Sequence, residues 1–184
     1  RDLKPICEHP IKLFGEPAPM DRYLFMTLVT DGYGGLEHRN STSLMRPRTD
    51  LPLLTDGPDQ VRDGYRSYLG LCSHEYFHTW NVKRIKPEAF TPFDLSREVH
   101  TELLWAFEGI TSYYDDLSLA RTGLIAPESY LELLGQTLTR VYRGRGRFKQ
   151  TVTESSFDAW TRFYKQDENA PNAIVSYYTK GSLV

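Results

Sequence analysis

The sequence predicts an α+β fold, with an antiparallel β edge near the N-terminus followed by a mainly helical half. Two observations support this prediction. Residues 1–60 are rich in strand formers, glycine and proline, whereas from residue 61 apolar residues recur at the spacing of amphipathic helices. No repeat or linker divides the 184 residues. We therefore expect one domain, 1–184, with a β and loop portion at 1–60 and a helical portion at 61–184.

The β portion is predicted to contain short extended segments joined by turns. Residues 10–14 are short and extended, and residues 22–30 are nearly continuously apolar and β-forming. A glycine-rich turn at 31–35 follows, and residues 36–44 are predicted to return as a second strand. The prolines of residues 46–59 then indicate a loop.

The helical portion begins where the period changes. Residues 61–80 carry apolar side chains at helical spacing, and Ser96 is a predicted N-cap for a second helix at 97–120. Pro127 is predicted to begin a third helix at 127–142. The remaining segments are a basic loop at 143–152, a short helix at 156–164, a turn at 167–172 and a helix that begins at Tyr177.

Composition limits the class of function. The net charge of −2 gives no electrostatic reason to expect nucleic acid or an anionic membrane as a partner. The arginine- and glycine-rich run 143–147 is typical of a surface loop in such a chain. No apolar run approaches the ~20 residues of a membrane span, and no signal peptide is visible. We expect a soluble bacterial protein, cytoplasmic or periplasmic. Cys7 and Cys72 form no metal or redox motif, and Cys72 is expected to be buried.

The strongest chemical signal is a His-Glu-x-x-His motif at residues 74–78. On an α-helix, residues four apart lie about 40° apart around the axis and ~6 Å apart along it, so His74 and His78 can reach one zinc ion. Zinc lowers the pKa of a bound water toward ~7, and Glu75 is placed to remove its proton. The alternative is a pair of solvated histidines, but the interleaved apolar residues favour zinc.

A catalytic zinc site needs a third protein ligand and an open position for water. Glu108 interrupts an apolar run on the second predicted helix, where an unpaired carboxylate would be costly to bury. Glu102 is a competing carboxylate, but Gly109 favours Glu108 because it permits close approach of another backbone. The other histidines, His9, His38 and His100, are expected to be structural or solvated.

Four separated segments resemble the M61 glycyl aminopeptidase family. Residues 74–87 resemble its zinc helix and residues 108–116 its third-ligand helix, and residues 155–160 and 176–181 also match. The resemblance implies a thermolysin-like catalytic domain of the gluzincin type, related to the M1 aminopeptidases. It also implies that the family's N-terminal β-rich domain and C-terminal PDZ domain lie outside this chain, which would be a catalytic-domain fragment.

The resemblance extends to the substrate site. Residues 34–38 are similar to the Gly-x-Met-Glu-Asn motif of M1 enzymes, which implies that Gly34 and Gly35 let a substrate backbone pair with a strand edge. It also implies that Glu37 holds the substrate's free N-terminal ammonium, a role that suits a carboxylate at the end of a cleft. His38 stands where the motif has asparagine, which leaves the detail of amine recognition open. A plain glycine-rich turn is the alternative.

The resemblance also indicates an oxyanion donor. Tyr178 matches the M1 tyrosine that hydrogen-bonds the oxyanion, and Tyr177 is the alternative. Asp115 and Asp116 lie about two turns after Glu108. One of them can orient a histidine N–H, or both can be solvated acids at a helix end.

These observations predict a zinc aminopeptidase with one zinc ion and peptide substrates that have a small first residue, glycine or alanine by resemblance. One alternative is a gluzincin endopeptidase with the same zinc site. A less favoured alternative is a peptide-binding module with a structural metal, for which the sequence offers no obvious fourth ligand. The sequence does not predict the oligomeric state.

Overall fold

The computed structural model describes residues 1–57 and 60–184 and shows a mixed α/β fold. Pro58 and Asp59, which end the predicted loop at 46–59, lie outside the described residues. The chain divides into two compact units, the first comprising residues 1–84 and 114–130 and the second residues 85–113 and 131–184. Within the described residues, no helix has the length and apolarity that crossing a membrane requires.

The first unit contains a mixed three-stranded sheet, β1 (Leu24–Val29), β2 (Gly34–Glu37) and β3 (Ser41–Arg46), in the order β1-β3-β2. β3 runs parallel to β1 and antiparallel to β2. The prediction of an antiparallel edge is therefore only partly right. The chain does not form a hairpin directly after β1, because β2 pairs instead with β3, which occupies the central position. The predicted strand at 36–44 is divided between β2 and β3.

The N-terminal residues form a helix, α1 (Leu3–Phe14), so the prediction of β and loop throughout residues 1–60 is wrong there. The helix is stabilised by burial of Ile6, whose side chain is 0% exposed, and of Pro10. Pro10 lacks an N–H and is unfavourable inside a helix. Tertiary burial here outweighs the local preference on which the prediction depended.

The long helix of the first unit, α2 (Asp63–Phe77), packs against β2, β3 and α1. Its buried residues Leu71 and Cys72 form a core with Leu44 of β3, and Phe25, Leu3 and Tyr68 pack against this core. The opposite face of the sheet carries exposed apolar side chains, among them Met26, Leu28, Leu36 and Met45. The sheet and α1 thus hold α2 from two sides.

The remaining helices follow α2. A π-helical turn at Trp105–Gly109 leads directly into α3 (Ile110–Arg121). The second predicted helix, 97–120, therefore begins later than expected. The remaining helices are α4 (Pro127–Arg143), α5 (Val152–Phe157) and α6 (Ala170–Ala173), with 3-10 turns at Arg145–Phe148, Phe163–Lys165 and Gly181–Leu183. The segment after Tyr177, predicted to begin a helix, contains turns and the last of these 3-10 turns.

Candidate active site

The two histidines of the His-Glu-x-x-His motif lie at the C-terminal end of α2. His74 is in its last turn and His78 is its C-cap, in helical conformation, with the His78 amide donating to the His74 carbonyl at 3.3 Å. Their ring centroids are 4.7 Å apart and the rings are nearly perpendicular. The helical spacing expected from sequence thus brings both imidazoles to one place.

His74 is oriented by Asp115 of α3. Its Nδ1 lies 3.0 Å from a carboxylate oxygen of Asp115. A ring whose Nδ1–H donates to a carboxylate presents its Nε2 lone pair to a metal, the arrangement usual for histidine ligands. Burial raises the pKa of Asp115, while His74 opposes this rise. Of the two aspartates, Asp115 is therefore the one that contacts a histidine ring nitrogen, as predicted for one member of the pair.

His78 is oriented by the main chain. Its Nδ1 is 2.7 Å from the carbonyl oxygen of Asn81, and the His78 side chain is almost completely buried. The chain folds back just after α2, since the amides of Val82 and Lys83 both donate to the His78 carbonyl. This turn places the Asn81 carbonyl beside Nδ1 of the ring, so that both histidines are fixed through Nδ1.

Asp116, next to Asp115, faces α2. Gly70 of α2 gives it room, because a β carbon at Gly70 would lie 2.8 Å from an Asp116 carboxylate oxygen. Burial and the neighbouring Asp115 charge raise the pKa of Asp116 to about 7, while Arg66 and His74 oppose the rise. Asp116 is thus a partly buried carboxyl group within α3, not the solvated helix-end acid of the alternative prediction.

Glu75 follows His74 and is 5% exposed. Its carboxylate lies against the backbone of Gly35 in β2, where an added β carbon would overlap the Glu75 carboxylate. The Tyr23 hydroxyl donates to the main-chain carbonyl of Glu75 at 3.3 Å. The glycine at position 35 is therefore required by a side chain on α2, in addition to any role in binding a substrate backbone.

The second residue of interest on β2 is Glu37. Its carboxylate makes an ion pair with Lys83, with Nζ to Oε1 at 3.1 Å and both side chains largely covered. Gly34 is in the same strand, beside Met45 of β3. His38 bends back, its Nδ1 3.1 Å from the Leu36 carbonyl, and it is exposed. The partnership of Glu37 with a lysine was not predicted from sequence.

Glu108 lies in the π-helical turn Trp105–Gly109 and is partly buried. π-Helical turns are rare and occur often at functional sites. The turn is held in the second unit by the Trp105 amide, which donates to the Ser156 hydroxyl at 2.9 Å. It is also held by Gly109, whose position leaves no space for a β carbon against the backbone of Gly181. The competing carboxylate Glu102 is exposed.

His74, His78 and Glu108 fit a metal ion. One donor atom from each lies within 4.8 Å of the others. Two imidazole nitrogens and one carboxylate oxygen form a donor set used by catalytic zinc sites, in which water takes the fourth position. The Nδ1 atoms of both rings are hydrogen-bonded, which leaves each Nε2 to face a metal ion and agrees with this assignment.

Two neighbouring tyrosines lie near Glu108 in the second unit. Tyr177 is 1% exposed, whereas Tyr178 is only partly buried. Burial, followed by the Glu108 charge, raises the pKa of Tyr178 far above its ordinary value, so its phenol keeps its proton. The hydroxyls of Tyr177 and Tyr178 are both 3.2 Å from that of Tyr164, a residue that the sequence did not single out.

The remaining histidines have structural contacts. His9 Nδ1 is 3.3 Å from the Ser118 hydroxyl, and His100 Nδ1 is 3.0 Å from the Phe157 carbonyl. The expectation that they are structural agrees with these contacts. Both cysteines are free thiols, and Cys72 is buried as expected.

Comparison with known proteins identifies a family and solved structures that this chain resembles. The sequence model of the M61 glycyl aminopeptidase family matches residues 67–184. A crystal structure of an aminopeptidase N family protein from Idiomarina loihiensis is similar, with 55% sequence identity and a TM-score of 0.95. The similarity covers 99% of this chain and 31% of that chain, so this chain spans about a third of its relative's length. No curated protein sequence matches it.

Proposed function

The chain belongs to the M61 glycyl aminopeptidase family, and we propose that it carries the catalytic site of a zinc-dependent aminopeptidase with a thermolysin-like fold. The observation that supports this most directly is the grouping of His74, His78 and Glu108 within 4.8 Å. In this proposal the three residues hold one zinc ion. Bound zinc supplies Lewis acidity that activates water and polarises the scissile carbonyl.

Glu75 is proposed as the general base. It takes a proton from the attacking water onto its carboxylate and passes that proton to the nitrogen of the leaving amine. Support comes from its position beside His74 and from the backbone of Gly35, which limits where the carboxylate can lie. A carboxylate confined in this way is already oriented for proton transfer.

Tyr178 is proposed as the donor to the oxyanion that develops on the carbonyl oxygen. Its raised pKa keeps the phenol protonated at neutral pH, which a hydrogen-bond donor requires. Tyr177 is the weaker candidate, because it is buried and its hydroxyl donates to Tyr164. Tyr178 is also the more accessible of the two, and the Glu108 charge contributes, after burial, to its raised pKa.

Substrate recognition is proposed to depend on β2. Gly34 and Gly35 leave the strand backbone open to an extended peptide, and Glu37 receives the N-terminal ammonium. A carboxylate there selects free N-termini because a charge-assisted hydrogen bond to ammonium is strong. By family resemblance the first residue is small, glycine or alanine.

A second candidate is a gluzincin endopeptidase that does not require a free N-terminus. The ion pair between Glu37 and Lys83 at 3.1 Å favours this candidate, because a carboxylate already neutralised by lysine attracts a substrate ammonium less strongly. The two candidates share the metal site and differ only at Glu37. Hydrolysis rates of peptides with free and with N-acetylated termini distinguish them.

The central test is Glu75→Gln in the intact protein. Hydrolysis of glycyl and alanyl arylamides should fall by about a thousandfold or more, because amide nitrogen and oxygen cannot replace the base. The zinc content measured by mass spectrometry should stay at one ion per chain, since Glu75 is not a ligand. Unchanged hydrolysis, or purified wild-type protein that binds no zinc, would contradict the proposal.

A further inference from the structure

We propose that Tyr164 is a positioning residue for the proposed aminopeptidase reaction, acting by hydrogen-bonding the hydroxyl of Tyr178. This inference rests on the proposed role of Tyr178 as oxyanion donor. Tyr164 itself does not touch the substrate in this proposal. It fixes where the Tyr178 hydroxyl lies and strengthens it as a donor.

The hydroxyl groups of three tyrosines form a chain in the second unit. The Tyr177 hydroxyl donates to that of Tyr164 at 3.2 Å, and the hydroxyls of Tyr164 and Tyr178 are also 3.2 Å apart. Tyr164 is therefore the central member, although it is separated by thirteen and fourteen residues from the other two. It sits in the 3-10 turn Phe163–Lys165, and its amide donates to the Ala159 carbonyl.

The aromatic rings hold this chain of hydroxyls in place. Tyr177 and Tyr178 stack with centroids 4.6 Å apart. Phe163 packs on both of them, at 4.7 Å and 5.7 Å, and meets Tyr164 edge to face at 5.4 Å. Such contacts limit ring rotation, so the distances between hydroxyls are set by packing of the whole cluster.

The direction of the hydrogen bonds gives Tyr164 its role. A phenol carries one proton and accepts through its lone pairs. Since the Tyr177 hydroxyl donates its hydrogen bond to the Tyr164 oxygen, the hydroxyl proton of Tyr164 can point to the Tyr178 oxygen. A hydroxyl whose oxygen accepts a hydrogen bond becomes a better donor through its own O–H, because linked hydrogen bonds polarise one another. Tyr178 then donates its proton toward the oxyanion.

Tyr164→Phe tests this assignment, because it keeps the ring and removes the hydroxyl. We expect kcat to fall about tenfold with KM changed less than about twofold, as for loss of an interaction used mainly in the transition state. If Tyr178 instead donates to Tyr164, the substitution would release that proton and raise kcat. An increase, or no change, overturns the proposal.

Tyr142→Phe is the matched control. Tyr142 is 67% exposed, close to the 65% of Tyr164, and its ring lies under Arg147 in the same unit. Removing its hydroxyl should leave kcat and KM unchanged. An equal fall in both variants would show that loss of an exposed tyrosine hydroxyl has a general effect, and this too overturns the proposal.

The double variant Tyr164→Phe/Tyr178→Phe separates this inference from the function on which it rests. If Tyr164 acts through Tyr178, the double variant should be no slower than Tyr178→Phe alone. A further tenfold loss would overturn the role of Tyr164. Full activity of Tyr178→Phe would instead show that the proposed oxyanion donor is wrong.

A measurement on the metal-free protein provides a readout that does not depend on activity. Thermal unfolding should occur about 2–4 °C lower in Tyr164→Phe than in wild type, because the hydroxyls of Tyr177 and Tyr178, residues that are less exposed than Tyr164, lose a hydrogen-bond partner. The effects of Tyr164→Phe and Tyr178→Phe should not be additive. Strictly additive shifts would show that the two hydroxyls are not coupled, and would overturn the proposal.

Discussion

The carboxylate of Glu75 and the backbone of Gly35 are in direct contact, so closely that any side chain at position 35 would occupy the space of the carboxylate. The two residues belong to different elements, α2 and β2. This contact links the strand proposed to bind substrate with the residue proposed to act as base. A change in the strand is therefore expected to affect catalysis directly.

Gly35→Ala should reduce hydrolysis by about a hundredfold or more, because a catalytic group displaced by about 1 Å loses much of its efficiency. Zinc binding should be retained, since the ligands are elsewhere. Steady-state kinetics and metal analysis measure the two effects. Gly32→Ala is the control, because its β carbon would meet only ordinary contacts at 3.7 and 3.9 Å. Equal loss in both variants would contradict the prediction.

Asp115→Asn should weaken zinc binding about 10- to 100-fold, because His74 loses the negative acceptor of its Nδ1 hydrogen bond. Competition with a chromophoric chelator measures the affinity. Asp56→Asn serves as control, since it removes a carboxylate paired with Arg62 in the same unit. An unchanged affinity in Asp115→Asn would show that this hydrogen bond does not support a metal ligand.

Glu37→Gln should raise KM about 10- to 100-fold for peptides with a free N-terminus and leave N-acetylated peptides unaffected, because a charge-assisted hydrogen bond is lost. Lys83→Met should lower KM for the free peptides, since the lysine competes for the same carboxylate. Equal effects on free and acetylated peptides would support the endopeptidase alternative.

Gly109→Ala should destabilise the protein by about 2 kcal/mol or more, because an added methyl group must displace the backbone of Gly181. Gly135→Ala should stabilise it by about 0.5–1 kcal/mol, since a β carbon there contacts nothing and alanine favours the interior of α4. Urea unfolding monitored by circular dichroism measures both. The free energy of unfolding should fall in Gly109→Ala and rise in Gly135→Ala, and a change of the same sign in both variants would contradict the prediction.

Stability should fall at alkaline pH. Burial raises the pKa of Cys7 and of Cys72 to about 12, from the ordinary value of 9.0. Above pH 9 the unfolded chain loses thiol protons that the folded chain keeps. The free energy of unfolding therefore decreases progressively between pH 9 and about 12. Urea midpoints at pH 8, 9 and 10 should decline, and the decline should be shallower in Cys72→Ser. A flat profile would contradict the prediction.

Local features were the more predictable part of this protein. The spacing of His74 and His78 determines their relative placement as soon as the segment is helical, and the run from 61 onward signals a helix. Glu108 could be selected as a candidate because a carboxylate within an apolar run needs a partner, and its role as a ligand stays a prediction. The choice between Tyr177 and Tyr178 depends on burial, which sequence alone does not give.

Features that depend on distant contacts were not predictable. The order of β1, β3 and β2 is decided by pairing across the chain, and four-residue β2 is too short to show a pattern. Helix α1 contains prolines that argue against it, and the burial of Ile6 and Pro10 stabilises it. Lys83 pairs with Glu37, and Tyr164 hydrogen-bonds Tyr178. Turns bring these residues together, and no periodic pattern in the sequence predicts the geometry of a turn.

The two histidines differ in how easily a mutation can remove the hydrogen bond that orients each ring. The hydrogen bond from His78 ends on the carbonyl of residue 81, and every amino acid supplies a carbonyl there. The bond from His74 ends on a side chain, and a single codon change at 115 abolishes it. Evolutionary drift, or a random mutagenesis library, can therefore alter the orientation of the His74 ring far more readily than that of the His78 ring.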